Sequence, residues 1–171
     1  MENRELHRIV STAIIIKDGK YLIIKRSPTK KVFPGKWTVP GGGLETDDYI
    51  NMSKTTKDHW YFAIEKSLRR EIKEEVGLEV KKLNYLLDLA FIRPDGIPVI
   101  TLSYWGYYKS GKVKLDEDSV DFKWVILKEA KNYDLIAGIW EEIEMVDKIL
   151  RKGNNGRIEY RKKQTTIKPR L

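Results

Sequence analysis

The chain contains no cysteine, so neither a disulfide framework nor a thiolate metal site can be built from it. Histidine is almost as scarce. His7 and His59 are the only two, and neither has a companion at ligand spacing. No apolar stretch approaches the roughly 20 residues that a membrane-spanning helix requires. The N-terminus comes nearest to a targeting segment, with Arg4 and Arg8 ahead of the apolar run 9–16. That run is short, lacks a small-residue cleavage site and leads through Asp18-Gly19 into a second apolar segment, so it reads as a strand. No internal repeat is visible. These absences point to a protein without a membrane span, and a cysteine-free composition suits the cytoplasm.

What is present fits one folded domain. There are 171 residues, 41% hydrophobic and 34% charged. That is enough apolar content to exclude a disordered chain and a length that suits a single core. The formal charge of +8 suggests a polyanionic partner, but it is unevenly placed. Residues 151–171 hold eight Lys and Arg against Glu159 alone, whereas residues 1–150 carry 25 basic and 24 acidic groups. The expected organisation is a nearly neutral domain over 1–150 and a basic C-terminal extension over 151–171. Nucleic acid is a candidate partner for that extension alone, and a solubilising role is the plainer reading.

Residues 8–17 and 21–26 are β-branched and apolar, and Asp18-Gly19 between them is a hairpin signal. Residues 27–36 carry Pro28, Pro34 and Gly35 and read as a loop, followed by a short strand at 37–39. Pro40-Gly41-Gly42-Gly43 must be a backbone turn. The polar segment 46–59 lacks periodicity and is expected to be an inserted loop. Ile64, Leu68, Ile72 and Val76 recur every four residues and predict a helix over about 60–76, stopped by Gly77. Strands are expected over 79–92, 97–108 and 122–127, and a last helix over about 137–151. The fold class implied is α/β, a mixed β-sheet sandwiched between α-helices.

The helix at 60–76 carries an arrangement that stability alone would not select. Glu71, Glu74 and Glu75 share one face near its C-terminus, where mutual repulsion and the negative end of the helix dipole both oppose them. At about 100° per residue, Glu75 falls inside the edge of the apolar stripe. A partly buried carboxylate needs a partner, and for clustered carboxylates a hard divalent cation such as Mg²⁺ or Mn²⁺ is the natural one. A solvated acidic face balanced by Lys66, Arg69, Arg70 and Lys73 is the competing explanation.

The string Arg70-Glu71-Ile72-Lys73-Glu74-Glu75-Val76-Gly77-Leu78 resembles the second half of the Nudix hydrolase signature, G-x5-E-x7-R-E-U-x-E-E-x-G-U, at every defined position. A chance match of that half in a chain this long is on the order of 1 in 100,000. Trp37-Thr38-Val39-Pro40-Gly41-Gly42 is similar to the segment that precedes the signature in MutT-like members of the family. The first half departs from the pattern. With Gly42 as the signature glycine, Asp48 stands where glutamate is usual, and 21 residues rather than seven separate it from Arg70. Asp48, Glu45 and Glu65 are all candidates for the missing acid.

The resemblance implies a Nudix fold and the metal-dependent hydrolysis of a nucleoside diphosphate linked to another group, with a nucleoside triphosphate the favoured substrate. It implies that Glu74 and Glu75 are the main metal ligands and that Glu71 is a ligand or the general base. It further implies that the Gly42 carbonyl completes the shell and that Arg70 holds the glutamates. A further acid from a later loop is often used in the family, and Glu117 and Asp118 are the candidates. Arg26 is a candidate phosphate contact and Trp37 a candidate base-stacking residue, although a strand tryptophan beside the glycine turn is more often core. Homodimers are common in the family. The alternative is a Nudix-fold module that binds RNA or a regulatory nucleotide without turnover.

Overall fold

The computed structural model describes residues 5–152. The basic extension beyond Lys152 and the leader-like Arg4 lie outside them. The hairpin forms as its turn chemistry dictates. β1 (Arg8–Lys17) and β2 (Lys20–Arg26) pair antiparallel with Lys17 opposite Lys20. Asp18 and Gly19 then form a two-residue turn with φ of 51° and 71°, the doubly left-handed geometry that matches strand twist.

β1 is the spine. One of its edges pairs parallel with β7 (Pro98–Ser110) from Arg8–Val99 to Ile16–Tyr107. Its other edge is divided between β2 at one end and β4 (Gly41–Gly43) at the other. β3 (Trp37–Thr38) and β8 (Ser119–Val125) pair with β2, while β5 (Glu79–Val80) and β6 (Asn84–Ile92) share the far edge of β7. The result is a mixed eight-stranded sheet.

Side-chain alternation along β1 sorts two cores. Ala13 and Ile15 join Leu68, Ile72 and Val76 of α2 (Ala63–Val76). Ile14 and Ile16 join Ile143 and Val146 of α4 (Ile139–Lys152) on the opposite face. The sheet is thus sandwiched between helices. Gly77 ends α2 in a left-handed conformation, with its N–H donating to the Lys73 carbonyl. A four-residue helix, α3 (Leu127–Ala130), precedes α4. No helix among the described residues is long and apolar enough to cross a membrane.

The segment expected as a plain loop differs from that reading. It contains one helical turn, α1 (Asp47–Ile50), and the α2 helix starts at Ala63 rather than near 60. Within the segment Tyr49 and Trp60 pack with ring centroids 5.4 Å apart, and Trp60 Nε1 donates to the Met52 carbonyl at 2.9 Å. Aromatic packing and one well-aimed hydrogen bond give these residues an internal structure that hydrophobic periodicity does not encode.

Candidate metal and substrate site

Glu71 and Glu75 leave α2 toward β4, where the glycines let them approach the backbone, while Glu74 is exposed and paired with Arg70. Gly41 has φ of 150°, and a Cβ on it would lie 2.2 Å from the Ser11 carbonyl oxygen, so no other residue fits. Its N–H donates to Glu75 Oε2 at 2.9 Å. A Cβ on Gly42 would lie 2.3 Å from Glu71 Cδ; the bare backbone makes room for that carboxylate. Gly42→Ala should therefore push Glu71 off the turn. The clash is with the end of a flexible side chain, so the expected cost is below about 1 kcal/mol in stability but about 10²-fold in hydrolysis. Melting curves and initial rates on the same preparation check both.

Arg70 organises the cluster. Its Nε donates to Asp48 Oδ1 at 2.5 Å, its Nη2 to Asp48 Oδ2 at 3.1 Å and to Glu71 Oε1 at 3.0 Å, and its Nη1 to Glu74 Oε2 at 2.7 Å. Among the three candidates for the missing acid, the structure selects Asp48. Its Oδ2 also accepts from Ser67 Oγ at 2.8 Å and from the Glu45 N–H at 2.8 Å. Glu45 is exposed, and Glu65 is paired instead with Arg69. The single turn of α1 carries Asp48 back to α2 despite the long intervening segment. The Arg70 guanidinium holds the Asp48 carboxyl down to about 2.

Glu75 is the opposite case. Burial pushes its carboxyl up to about 8, and the Asp116 and Glu71 charges add to the rise, against the Gly41 N–H and a weaker pull from Arg26. Burial likewise raises Glu71, opposed by Arg70. A carboxyl buried with one backbone donor is short of positive charge.

A cleft of about 540 Å³ opens beside the turn, within the range of small-ligand sites. Gly41, Gly42, Gly43, Glu75 and Arg26 line one part of it, and Val32, Phe33, Leu89 and Phe91 line apolar walls. Arg26 is fixed by an Nε hydrogen bond to the Val32 carbonyl at 3.2 Å.

Three expected substrate residues are placed elsewhere. Trp37 is buried in the α4-side core with its ring edge-on to Tyr133 at 4.8 Å, because the two-residue β3 is clamped between β2 and Leu135. It does not line the cleft. Asp118 is paired with Lys30 at 2.5 Å, and Glu117 is exposed. The acid of that run whose charge is felt at Glu75 is Asp116, whose Oδ1 accepts from the Asp118 N–H at 3.0 Å. Its N–H donates to the Glu75 carbonyl at 3.2 Å, and burial raises its own carboxyl. The inserted segment lines a different depression of about 640 Å³, between Tyr49, Trp60, Phe62 and Tyr104, and not the cleft at the glycine turn.

Sequence reasoning also missed Glu142, a buried acid that lines the cleft from α4. Its spacing from Ile139 and Val146 puts it on the apolar stripe, a signal that was available.

The residues fit a divalent cation. They offer hard oxygen donors, a buried carboxyl lacking a counter-charge, and a glycine cradle that a Cβ would fill. Among the described residues no three acids already converge as a set, and both Glu71 and Glu74 are paired with Arg70.

The comparisons with known proteins agree with this geometry. The family model of the NUDIX domain matches residues 6–146. The nucleoside triphosphatase NudI of Klebsiella pneumoniae is 32% identical over 141 residues, covering 76% of this chain and 89% of that protein. NudI of Escherichia coli is 30% identical over 138 residues, covering 75% and 88%. The MutT protein of Methanosarcina mazei has the same fold, with a TM-score of 0.68 over 86% of this chain and 98% of that one at 23% identity. So does the NUDIX domain of Shewanella oneidensis NrtR, solved with ADP ribose, with a TM-score of 0.67 over 85% and 90% at 18% identity. The glutamate helix, the glycine turn and the match over nearly the whole described chain lead to one conclusion: this protein belongs to the Nudix family, as a MutT-like hydrolase of phosphoanhydride bonds.

Proposed function

We propose that the protein is a divalent-metal-dependent pyrophosphohydrolase of nucleoside triphosphates. The observation that carries the proposal is the seating of Glu71 and Glu75 against Gly42 and Gly41 at the edge of a cleft sized for a nucleotide, with Arg70 and Asp48 bracing the helix behind them. The NudI relatives, named as nucleoside triphosphatases, support the substrate class.

Glu71, Glu74 and Glu75, with the Gly42 carbonyl, are the groups that would hold Mg²⁺ or Mn²⁺, and Asp116 is the further acid in place of Glu117 and Asp118. Such a cation, when bound, offsets phosphate charge, polarises the phosphoryl oxygens and acidifies a water. The chain's own residues do the rest. Arg70 fixes the rotamers of Glu71 and Glu74, which keeps the carboxylates from splaying apart under their own repulsion. Glu71, raised by burial, is suited to take the proton of the attacking water. Arg26 presents its guanidinium to the phosphates, and Phe33, Leu89 and Phe91 exclude water from the wall beside them.

The test is a hydrolysis panel over nucleoside triphosphates, ADP-ribose, dinucleoside polyphosphates and capped RNA, with Mg²⁺ or Mn²⁺ present or chelated. Cation-dependent release of pyrophosphate from triphosphates is expected. Identical background rates for wild type and a Glu74→Gln/Glu75→Gln double variant on every compound would remove the enzyme reading. The engagement of Glu74 by Arg70 favours a binding module as the second reading, and tight binding without turnover on that panel would establish it.

A further inference from the structure

Glu142 has no part in the chemistry above, yet it lines the same cleft. It sits in the first turn of α4, and only 4% of its surface is exposed. Ser103 Oγ, at 0% exposure on β7, donates to its Oε2 at 2.8 Å. Ser103 Oγ is in turn 3.1 Å from Thr12 Oγ1 on β1, its partner in the parallel ladder. Because Ser103 spends its one hydroxyl proton on Glu142, Thr12 must donate to Ser103. The chain of donors therefore runs Thr12 to Ser103 to Glu142 and ends there. Among the described residues Glu142 has no basic partner and no side-chain donor other than Ser103.

The surroundings say what kind of group completes it. Glu142 and Thr12 line the same cleft as Glu75, Arg26 and the glycine turn. The same lining includes Phe33 and Phe91, whose ring centroids are 6.4 Å apart with the rings tilted by 40°. A cleft lined by Glu75, Arg26 and the glycine turn, by aromatic side chains, and by the acceptor Glu142 offers matching groups for the three pieces of a nucleotide: phosphates, a planar ring, and an N–H donor on the edge of that ring.

We propose that Glu142 is a specificity-determining residue that reads the nucleobase, its free Oε1 accepting an N–H from the pairing edge of the base while Ser103 and Thr12 hold the carboxyl in place. This rests on the nucleotide-hydrolase reading above and deepens it. Burial raises the Glu142 carboxyl, with the Glu141 charge adding to the rise and the Ser103 hydroxyl opposing it. A site built around one such hydrogen bond discriminates strongly between ligands that supply the donor and ligands that do not.

Glu142→Gln separates this role from a structural one. The glutamine carbonyl can still accept from Ser103, so the link between α4 and the sheet survives, while the other arm becomes a donor. The experiment uses the full chain with Mg²⁺ and measures kcat/KM for the four ribonucleoside and four deoxyribonucleoside triphosphates, with Tm as the fold control. The expected result is a wild-type preference among bases whose ratio of best to worst changes by about tenfold or more in Glu142→Gln, at nearly unchanged Tm. A uniform change across all eight substrates overturns the proposal, as does a change that follows ribose against deoxyribose. Calorimetric titration with nucleoside monophosphates in EDTA keeps the test independent of turnover. Base-dependent binding that Glu142→Gln alters would sustain the inference even if the wild type hydrolysed nothing. Base-independent or undetectable binding would end it.

Discussion

Replacing Glu75 by glutamine is expected to stabilise the metal-free protein and, in the same step, to remove about 10²- to 10³-fold of its hydrolysis. The amide oxygen still accepts from the Gly41 N–H, while an uncharged NH2 replaces the other oxygen of a carboxyl that burial raises against only a weak pull from Arg26. That carboxyl titrates near 8 in the folded chain against 4.5 in its absence. The folded state thus keeps a proton that the unfolded state releases, and wild type loses stability relative to the variant as pH rises from about 4.5 to 8. Above that window the gap stops widening. Near pH 4 the two proteins should melt together in EDTA, and near pH 7 the variant should be ahead by about 3 kcal/mol. Scanning calorimetry across the window checks it. A gap that is constant with pH would show that Glu75 is already neutralised by a group of the protein. Saturating Mg²⁺ should reverse the ranking, because a ligand stabilises whichever form binds it.

The second large effect belongs to Asp48. Asp48→Asn removes the charge that accepts two Arg70 hydrogen bonds, one from Ser67 and one from the Glu45 N–H. The Asp48 side chain is only 4% exposed, whereas Arg70 is 34% exposed and keeps Glu71 and Glu74 as partners, so the loss should cost about 1–2 kcal/mol. Arg70 would then lose the anchor that orients it toward Glu71 and Glu74, and kcat/KM should fall by about 10- to 100-fold. Asp48→Glu, which keeps the charge, should lose less of both. The folded carboxyl is held near 2, below its usual 3.8, so its contribution is fully present above about pH 4 and disappears as pH falls toward 2. Urea melts at neutral and acid pH, with activity at neutral pH, separate the two components. Equal losses for the asparagine and glutamate variants would mean that charge is not what Asp48 supplies.

Those two residues also show what a sequence can carry. The burial of Glu75 is legible from angular spacing alone, because an α-helix fixes which side chains share a face. The role of Asp48 is not, since it depends on where one helical turn folds back across 21 residues, and three acids satisfied the pattern equally. The same limit explains Asp116. Glu117 and Asp118 lie one and two residues away, and what selects Asp116 is a backbone hydrogen bond to the Glu75 carbonyl. Trp37 went the other way. A strand tryptophan beside a glycine turn allowed both a stacking role and the more usual core role, and it is Tyr133 and Leu135, remote in sequence, that close over it. Local periodicity was readable; long-range closure was not.

The position of the extra residues has one more consequence. They enter between Asp48 and Arg70, two groups that bond directly, so the chain ends on either side of the insertion are tied together by an ion pair. The entropy of closing such a loop grows only with the logarithm of its length, about 0.6 kcal/mol for each doubling. The depression they line shares none of its lining residues with the cleft at the glycine turn. The segment 51–62 is therefore a graft point, where this scaffold can lengthen or exchange sequence, or carry an added peptide, while the pair at its base keeps the metal helix in register.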